Sequence, residues 1–191
     1  MSLFLFQEDY VNGEPDPLSP LSLMTPVHEL RYGNRLLYRA LSDAVGEPEG
    51  LIVPRRFERY VRRKYPGKVT RLEDAGGKVI LLNARVRPSA APDVLRLLRS
   101  EGKPVVDGDR LVAAEVEAGS IGEEDLLRRW AGVHIDALIK GPWELVEALK
   151  SWGGGVGGVG YGPTVRVVEP GVIDAAGGRG ARADDAGTEA F

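Results

Sequence analysis

Between residues 3 and 100 the chain alternates, three times over, a short continuous apolar run with a longer stretch of helical periodicity. Leu3-Phe4-Leu5-Phe6 precedes a helical pattern over 27–45, Leu51-Ile52-Val53 one over 55–65, and the run 78–83 one over 92–100. Runs this short and this continuous read as strands buried on both faces. Strands that share a direction need a long crossover between them, usually a helix. The pattern therefore predicts an α/β fold, a three-layer sandwich around a mostly parallel sheet. In such sheets ligands sit outside the carboxyl ends of the strands. Function is expected after Phe6 and after Asn83.

Composition narrows the classes further. With 191 residues and 43% hydrophobic content, the chain has enough apolar surface for a core. A net charge of −3 gives no overall pull toward nucleic acid or an anionic membrane. No apolar run approaches the length of a membrane span. The absence of cysteine removes disulfides, thiolate zinc sites and cysteine nucleophiles together. Glu8 and Asp9 arrive before any basic-then-apolar leader can form, so a cytoplasmic protein is expected. Gln7 is the only glutamine, and Asn12, Asn34 and Asn83 are the only asparagines, a thermophile-like composition that an arginine-rich, GC-biased genome would also produce.

Along the chain, Val11 to Pro26 carries four prolines and reads as loop. Val27, Leu30, Leu37, Leu41 and Ala44 recur at helical spacing and predict a helix over 27–45, with Gly46 and Pro48 as its stop. Arg55 to Tyr65 is a basic helix, read as solvated outside and aromatic inside. Residues 104–114 read as a hairpin turning at Asp107-Gly108-Asp109. Residues 122–130 and 142–152 are two further helical stretches. The expected units are an α/β domain over 1–152, a glycine-rich linker with an incipient repeat over 153–178, and a disordered tail over 179–191, too poor in apolar residues to bury surface.

Four pieces in order then resemble one family. They are Pro20-Leu21-Ser22-Leu23-Met24-Thr25-Pro26-Val27-His28-Glu29-Leu30-Arg31-Tyr32-Gly33, Leu82-Asn83-Ala84-Arg85, Gly141-Pro142-Trp143-Glu144-Leu145-Val146, and the segment 168–175, Val-Glu-Pro-Gly-Val-Ile-Asp-Ala in sequence. The first three resemble a proline-rich loop with a Leu-Arg-x-Gly helix start, a strand-end Asn-Ala/Gly-Arg, and a late Trp-Asp-Leu-Val helix start in sugar-phosphate nucleotidyltransferases. The branch is the one related to the uridyltransferase half of the bifunctional N-acetylglucosamine-1-phosphate enzyme. The fourth resembles the opening rung of the left-handed β-helix that often follows. The resemblance implies a Rossmann-like nucleotide-diphospho-sugar transferase fold ending in a vestigial or truncated β-helix. It implies transfer of a nucleotidyl group from an NTP to a sugar 1-phosphate, Mg²⁺ as cofactor, and a homo-oligomer only where the β-helix is complete.

On that reading Arg31 and Asn83 are the catalytic candidates, Gly33, Asn83, Arg85 and Arg87 would hold the nucleotide phosphates, and Asp9 would ligate the metal. Asn83, Arg85 and Arg87 leave the clearest strand, and alternation would put them on a common side if the chain stayed extended. Glu8 could join Asp9, the competing reading being a solvated loop for both. His28 and His134 lack ligand-spaced partners, and Trp143 is expected to anchor its helix. Thr25 stands where the family usually has arginine, and Asn83 where pyrophosphorylases place a metal-binding aspartate. These two departures support an alternative, a catalytically inactive nucleotide-sugar-binding or structural module of the same fold.

Overall fold

Six strands form one sheet in a computed structural model that describes residues 2–8, 10–11, 14–120, 122, 125–126, 129–152, 166–169 and 172–174. In chain order the sheet strands are β1 (Ser2–Phe6), β6 (Gly50–Ile52), β7 (Lys78–Asn83), β8 (Val105–Asp107), β9 (Arg110–Glu117) and β10 (Val133–His134). Two small hairpins, β2 (Tyr10–Val11) with β3 (Glu14–Pro15) and β4 (Arg31–Tyr32) with β5 (Arg35–Leu36), lie between the first two. Across the sheet the order is β10-β8-β9-β7-β1-β6. β1 is parallel to both β6 and β7, β8 is parallel to β10, and β9 alone runs against its neighbours. The mostly parallel α/β sheet is as expected, and so is the hairpin turning at Gly108.

The pleat sorts apolar side chains into two cores. Leu5, Leu51, Ile80 and Leu82 pack on one face with the helices α2 (Leu37–Val45), α3 (Arg55–Lys64), α4 (Ala91–Glu101) and α5 (Pro142–Trp152). Phe4, Phe6, Ile52, Val79 and Leu81 pack on the other, under Leu72, Ala118 and Leu126. Full burial of one such Phe or Leu contributes about 1.5–3 kcal/mol. Both faces of the central strands are covered, hence their unbroken apolar runs. Among the described residues, however, the layer on the second face is a 3₁₀ turn at Leu72–Asp74 and irregular chain rather than α-helices.

The helix expected over 27–45 is the main local correction. A 3₁₀ turn spans Val27–Glu29, the β4–β5 hairpin follows, and α2 starts only at Leu37. Gly33 sits in the hairpin turn with φ +65°, in the left-handed region that costs an L side chain energy. Leu37 N–H closes the hairpin on the Leu30 carbonyl at 2.8 Å. The short helix α1 (Leu21–Met24) lies inside the proline-rich loop. The helix expected over 122–130 and the tail over 179–191 fall largely or wholly outside the described residues. So do parts of the expected β-helix opening. Its described strands, β11 (Arg166–Glu169) and β12 (Val172–Asp174), pair antiparallel.

Candidate functional site

The strand directions bring five chain segments to one edge. The carboxyl ends of β6, β1, β7 and β8 lie there beside the start of the reversed strand β9. Four side chains, two acidic and two basic, meet there, three of them from these places and the fourth from the proline-rich loop. Glu8, just past β1, is 1% exposed and takes Arg85 Nη2 at 2.5 Å and Arg110 Nη1 at 3.0 Å on one carboxylate oxygen. Asp16, in the proline-rich loop, brings Oδ1 to 3.5 Å from Arg85 Nε and accepts the Leu18 N–H at 3.1 Å. Two carboxylates against two guanidiniums balance in charge, which is what burial demands of them. Arg110 is the member that reaches outward, with 17% of its side chain exposed.

Arg85 is the hub of this cluster. Its side chain, 3% exposed, also donates Nη1 to the Ile139 carbonyl at 3.3 Å, and its own carbonyl accepts the Ile139 N–H. Asp107, at the end of β8, accepts the N–H groups of Ala137 and Leu138 at 3.1 Å each. Residues 137–139 are thereby laid along Arg85–Arg87 as an extra antiparallel bridge at the rim. Lys140 follows, its Nζ 3.5 Å from Asp107 and 2.9 Å from Asp136.

The proline-rich loop is pinned at its other end too. Gln7 accepts the Val27 N–H on its side-chain oxygen at 2.9 Å. Glu29, buried, receives Lys64 Nζ, Tyr65 Oη at 2.6 Å and Tyr60 Oη at 3.1 Å, all from or just after α3. Burial opposes the charge on Glu29, but the hydrogen bonds from Lys64, Tyr65 and Tyr60 outweigh it and hold the carboxyl below its ordinary range. His28 lies beside Tyr38 and Tyr65 with ring centroids at 6.2 and 5.6 Å, and burial pulls its pKa down to about 4. It is a neutral core ring.

The residues expected at the site divide. Arg85 joins Glu8 there, but fully buried. Asn83 is also fully buried. Its Nδ2 donates to the Leu111 carbonyl at 2.9 Å and its Oδ1 accepts the Arg85 N–H at 2.9 Å, so the amide staples β7 to β9. The chain turns after Asn83 instead of staying extended. Arg87 therefore goes elsewhere, to Asp136 at 2.9 Å and Glu144 at 3.5 Å. Arg31 is exposed on the hairpin and donates to the Asn34 carbonyl at 3.2 Å, with Gly33 in the turn beside it. Asp9 lies outside the described residues. Glu8 is no solvated loop acid, and Asp16, Asp107 and Arg110 joined the site without any local sequence signal.

This edge lies within the span over which one family's sequence model, described as sugar nucleotidyl transferase, matches the chain: residues 5–151. The chain belongs to the sugar nucleotidyl transferase family. A comparison with curated proteins returns no match. The α/β sheet is consistent with a nucleotidyltransferase-like fold, and all four members of the ionic cluster fall inside the matched span. No helix among the described residues is long and apolar enough to cross a membrane.

The donor set bears on the Mg²⁺ expected of a sugar nucleotidyl transferase. Glu8 Oε2 and Asp16 Oδ2 are buried oxygens without a hydrogen-bond partner, the hard donors that Mg²⁺ takes. Their carboxylates are already neutralised by Arg85 and Arg110, and a divalent cation set against two guanidiniums would be repelled. No three acidic or histidine side chains group as a metal site among the described residues. The described cluster does not fit a resident Mg²⁺.

Proposed function

We propose that the chain transfers a nucleotidyl group from a nucleoside triphosphate to a sugar 1-phosphate at the carboxyl edge of the sheet. The sugar-phosphate oxygen would form the new bond to the α-phosphorus as the bond to pyrophosphate breaks. The observation that carries this reading is the charge-balanced cluster Glu8–Arg85–Asp16–Arg110 at that edge, inside the family-matched span. Phosphoryl-type transfer asks mainly for positioning and charge stabilisation. Arg110 is the cation aimed outward for the phosphates, with Arg31 on the neighbouring hairpin as a second. Arg85, Arg87 and Asn83 act by holding the rim, and Gly33 by turning the hairpin that presents Arg31. Any Mg²⁺ would arrive on the triphosphate oxygens, with Asp9 the acid left to meet it. The finer placement, in the branch related to the uridyltransferase half of the bifunctional N-acetylglucosamine-1-phosphate enzyme, rests on the order of the four motifs.

The test is pyrophosphate release from a panel of NTPs and sugar 1-phosphates with Mg²⁺. Arg110→Ala should lower kcat/KM about 100-fold, the loss of one charge-assisted phosphate contact. Absence of pyrophosphate with every pair would overturn the reaction.

A second reading is favoured by one observation. Arg85 and Arg87, two of the cations expected on the phosphates, are engaged within the protein, and Thr25 stands in the place of a third. A module that binds a nucleotide sugar without turnover would then show thermal stabilisation by that ligand and no pyrophosphate.

A further inference from the structure

Six of the ten residues of α3 are basic, and three of the six are engaged within the protein. Lys64 is on Glu29, Arg62 is held by Thr70 and Asp74, and Arg56 donates to the Ser22 carbonyl at 3.1 Å. The other three, Arg55, Arg59 and Arg63, are exposed and recur every fourth residue, so they form one row along the helix. That row lies opposite Phe57 and Val61, which face the core. Among the described residues Arg59 and Arg63 have no hydrogen bond or ion pair. Glu58, the carboxylate that Arg55 senses, is already bound by Arg71 on both oxygens.

Apolar surface lies beside this row. The bond from Arg56 to Ser22 holds α1 against α3. Ser22 is buried, whereas Leu21 and Leu23 are each 42% exposed and Met24 is 83% exposed. Tyr60, one turn after Arg56 on the same flank of α3, is 45% exposed. Four large side chains this open approach the patch size, about 300–600 Å², that is often functional on a single protein. Trp143, expected to anchor its helix, is 60% exposed in a separate row with Val146 and Leu149 on α5, a helix without arginine.

We propose that the α1–α3 face docks an acidic amphipathic helix of another protein. Its carboxylates would meet Arg55, Arg59 and Arg63, and its apolar residues Leu21, Leu23, Met24 and Tyr60. Charge selects this partner, because exposed arginines without carboxylates gain from a surface that brings them. A helix with Glu or Asp every fourth residue repeats their spacing. Composition favours a protein, since Arg, Tyr and Met are enriched at protein interfaces. An anionic membrane is read by clusters of about 4–8 Lys and Arg, and the engaged side chains leave this row with only Arg55, Arg59 and Arg63. A second copy joined through the same face would set the two arginine rows against each other.

The test titrates the full chain against a synthetic fluorescent peptide that forms a helix with one row of Glu and an adjoining row of Leu. Two control peptides replace the Glu row with Gln or the Leu row with Ser. The expected result is binding at least tenfold tighter than to either control, and weaker as salt is raised. Arg59→Glu/Arg63→Glu and Leu23→Ser/Met24→Ser should each weaken it at least tenfold. All four replaced side chains are exposed, and an unchanged unfolding midpoint shows that the variants fold. Equal binding of the three peptides, no binding at about 1 mM peptide, or binding that neither variant weakens would overturn the proposal. Vesicles containing phosphatidylserine form the second arm, and retention on them without peptide binding would overturn it in favour of a membrane. Self-association of the parent chain that Leu23→Ser/Met24→Ser abolishes would overturn it in favour of a second copy.

Discussion

Two buried polar networks flank the proline-rich loop, and they are built in opposite ways. At one end Asp16 meets Arg85, which together with Arg110 holds Glu8. At the other, Glu29 is wrapped by Lys64, Tyr60 and Tyr65, with His28 alongside. In the Glu29 network both carboxylate oxygens have donors, and His28 Nε2 lacks a partner, as does Gln7 Nε2 beside Val27. In the Arg85 network Glu8 Oε2, Asp16 Oδ2 and Arg85 Nε all lack one. Native interiors rarely tolerate so many unsatisfied atoms in one place without a reason. A closed network is a peg. An open one, with its outermost arginine at the rim, is where a polar ligand gains most.

The comparison breaks most visibly at Arg85. Replacing it with Met would leave the Glu8 and Asp16 carboxylates buried, with Arg110 as the remaining cation. A loss of about 3–5 kcal/mol is expected, from stranding a buried charge. Urea unfolding measures it. Adding Glu8→Gln should restore part of that loss, which a simple packing defect would not allow.

The peg should be the part that responds to mild acid. His28 has a folded pKa of about 4 against an ordinary 6.5, because burial disfavours its charged form. Between those two values the unfolded chain binds a proton that the folded chain does not, so stability rises with pH in this window and falls on acidification. From pH 7 to pH 4 the loss is about 3 kcal/mol. The lowered carboxylates, Glu29, Glu47 and Glu58, act in the same direction but only near and below their ordinary pKa of 4.5. The slope between pH 5 and 6.5 therefore belongs to His28. In His28→Phe, whose ring would keep the contacts with Tyr38 and Tyr65, that slope should be gone.

Glu29→Gln gives a smaller effect, about 2 kcal/mol, because the amide keeps one acceptor while weakening three hydrogen bonds that now end on a charge. If the Glu29 network is only a peg, ligand-induced stabilisation should persist in this variant once its lower starting stability is allowed for. Loss of that response would mean that the two networks act as one.

Much of the fold is legible locally, and most of the site is not. Strand 78–83, helix 142–152 and the Asp-Gly hairpin follow from short-range pattern, because burial on both faces, helical spacing and a left-handed turn each leave their mark within a few residues. The stretch 27–45 misleads because Val27, Leu30, Leu37 and Leu41 keep helical spacing across a hairpin whose only signal is Gly33-Asn34. The site pairs Glu8 with Arg85 and Arg110 across 77 and 102 residues of sequence. No window of sequence holds both partners. Arg85 was found through the strand-end rule, which is a rule about topology. Asp16 gives no signal among its prolines, and Asn83 reads as a ligand because a polar residue at a strand end looks the same whether it faces solvent or, as here, a neighbouring carbonyl.

The smallest expected effect lies outside both networks, at Gly33. An alanine there must hold φ near +65°, at a cost of about 1 kcal/mol. The hairpin is closed by Leu37 on Leu30, independently of Glu8, Arg85 and Glu29. If Gly33 serves only the turn, Gly33→Ala should lower the unfolding free energy by that amount and leave nucleotide-induced stabilisation as large as in the parent. If it lies against a phosphate, the added methyl group would abolish that stabilisation at nearly the same cost in unfolding. Thermal shifts with and without nucleotide separate the two, since the backbone strain is common to both and only the ligand term differs.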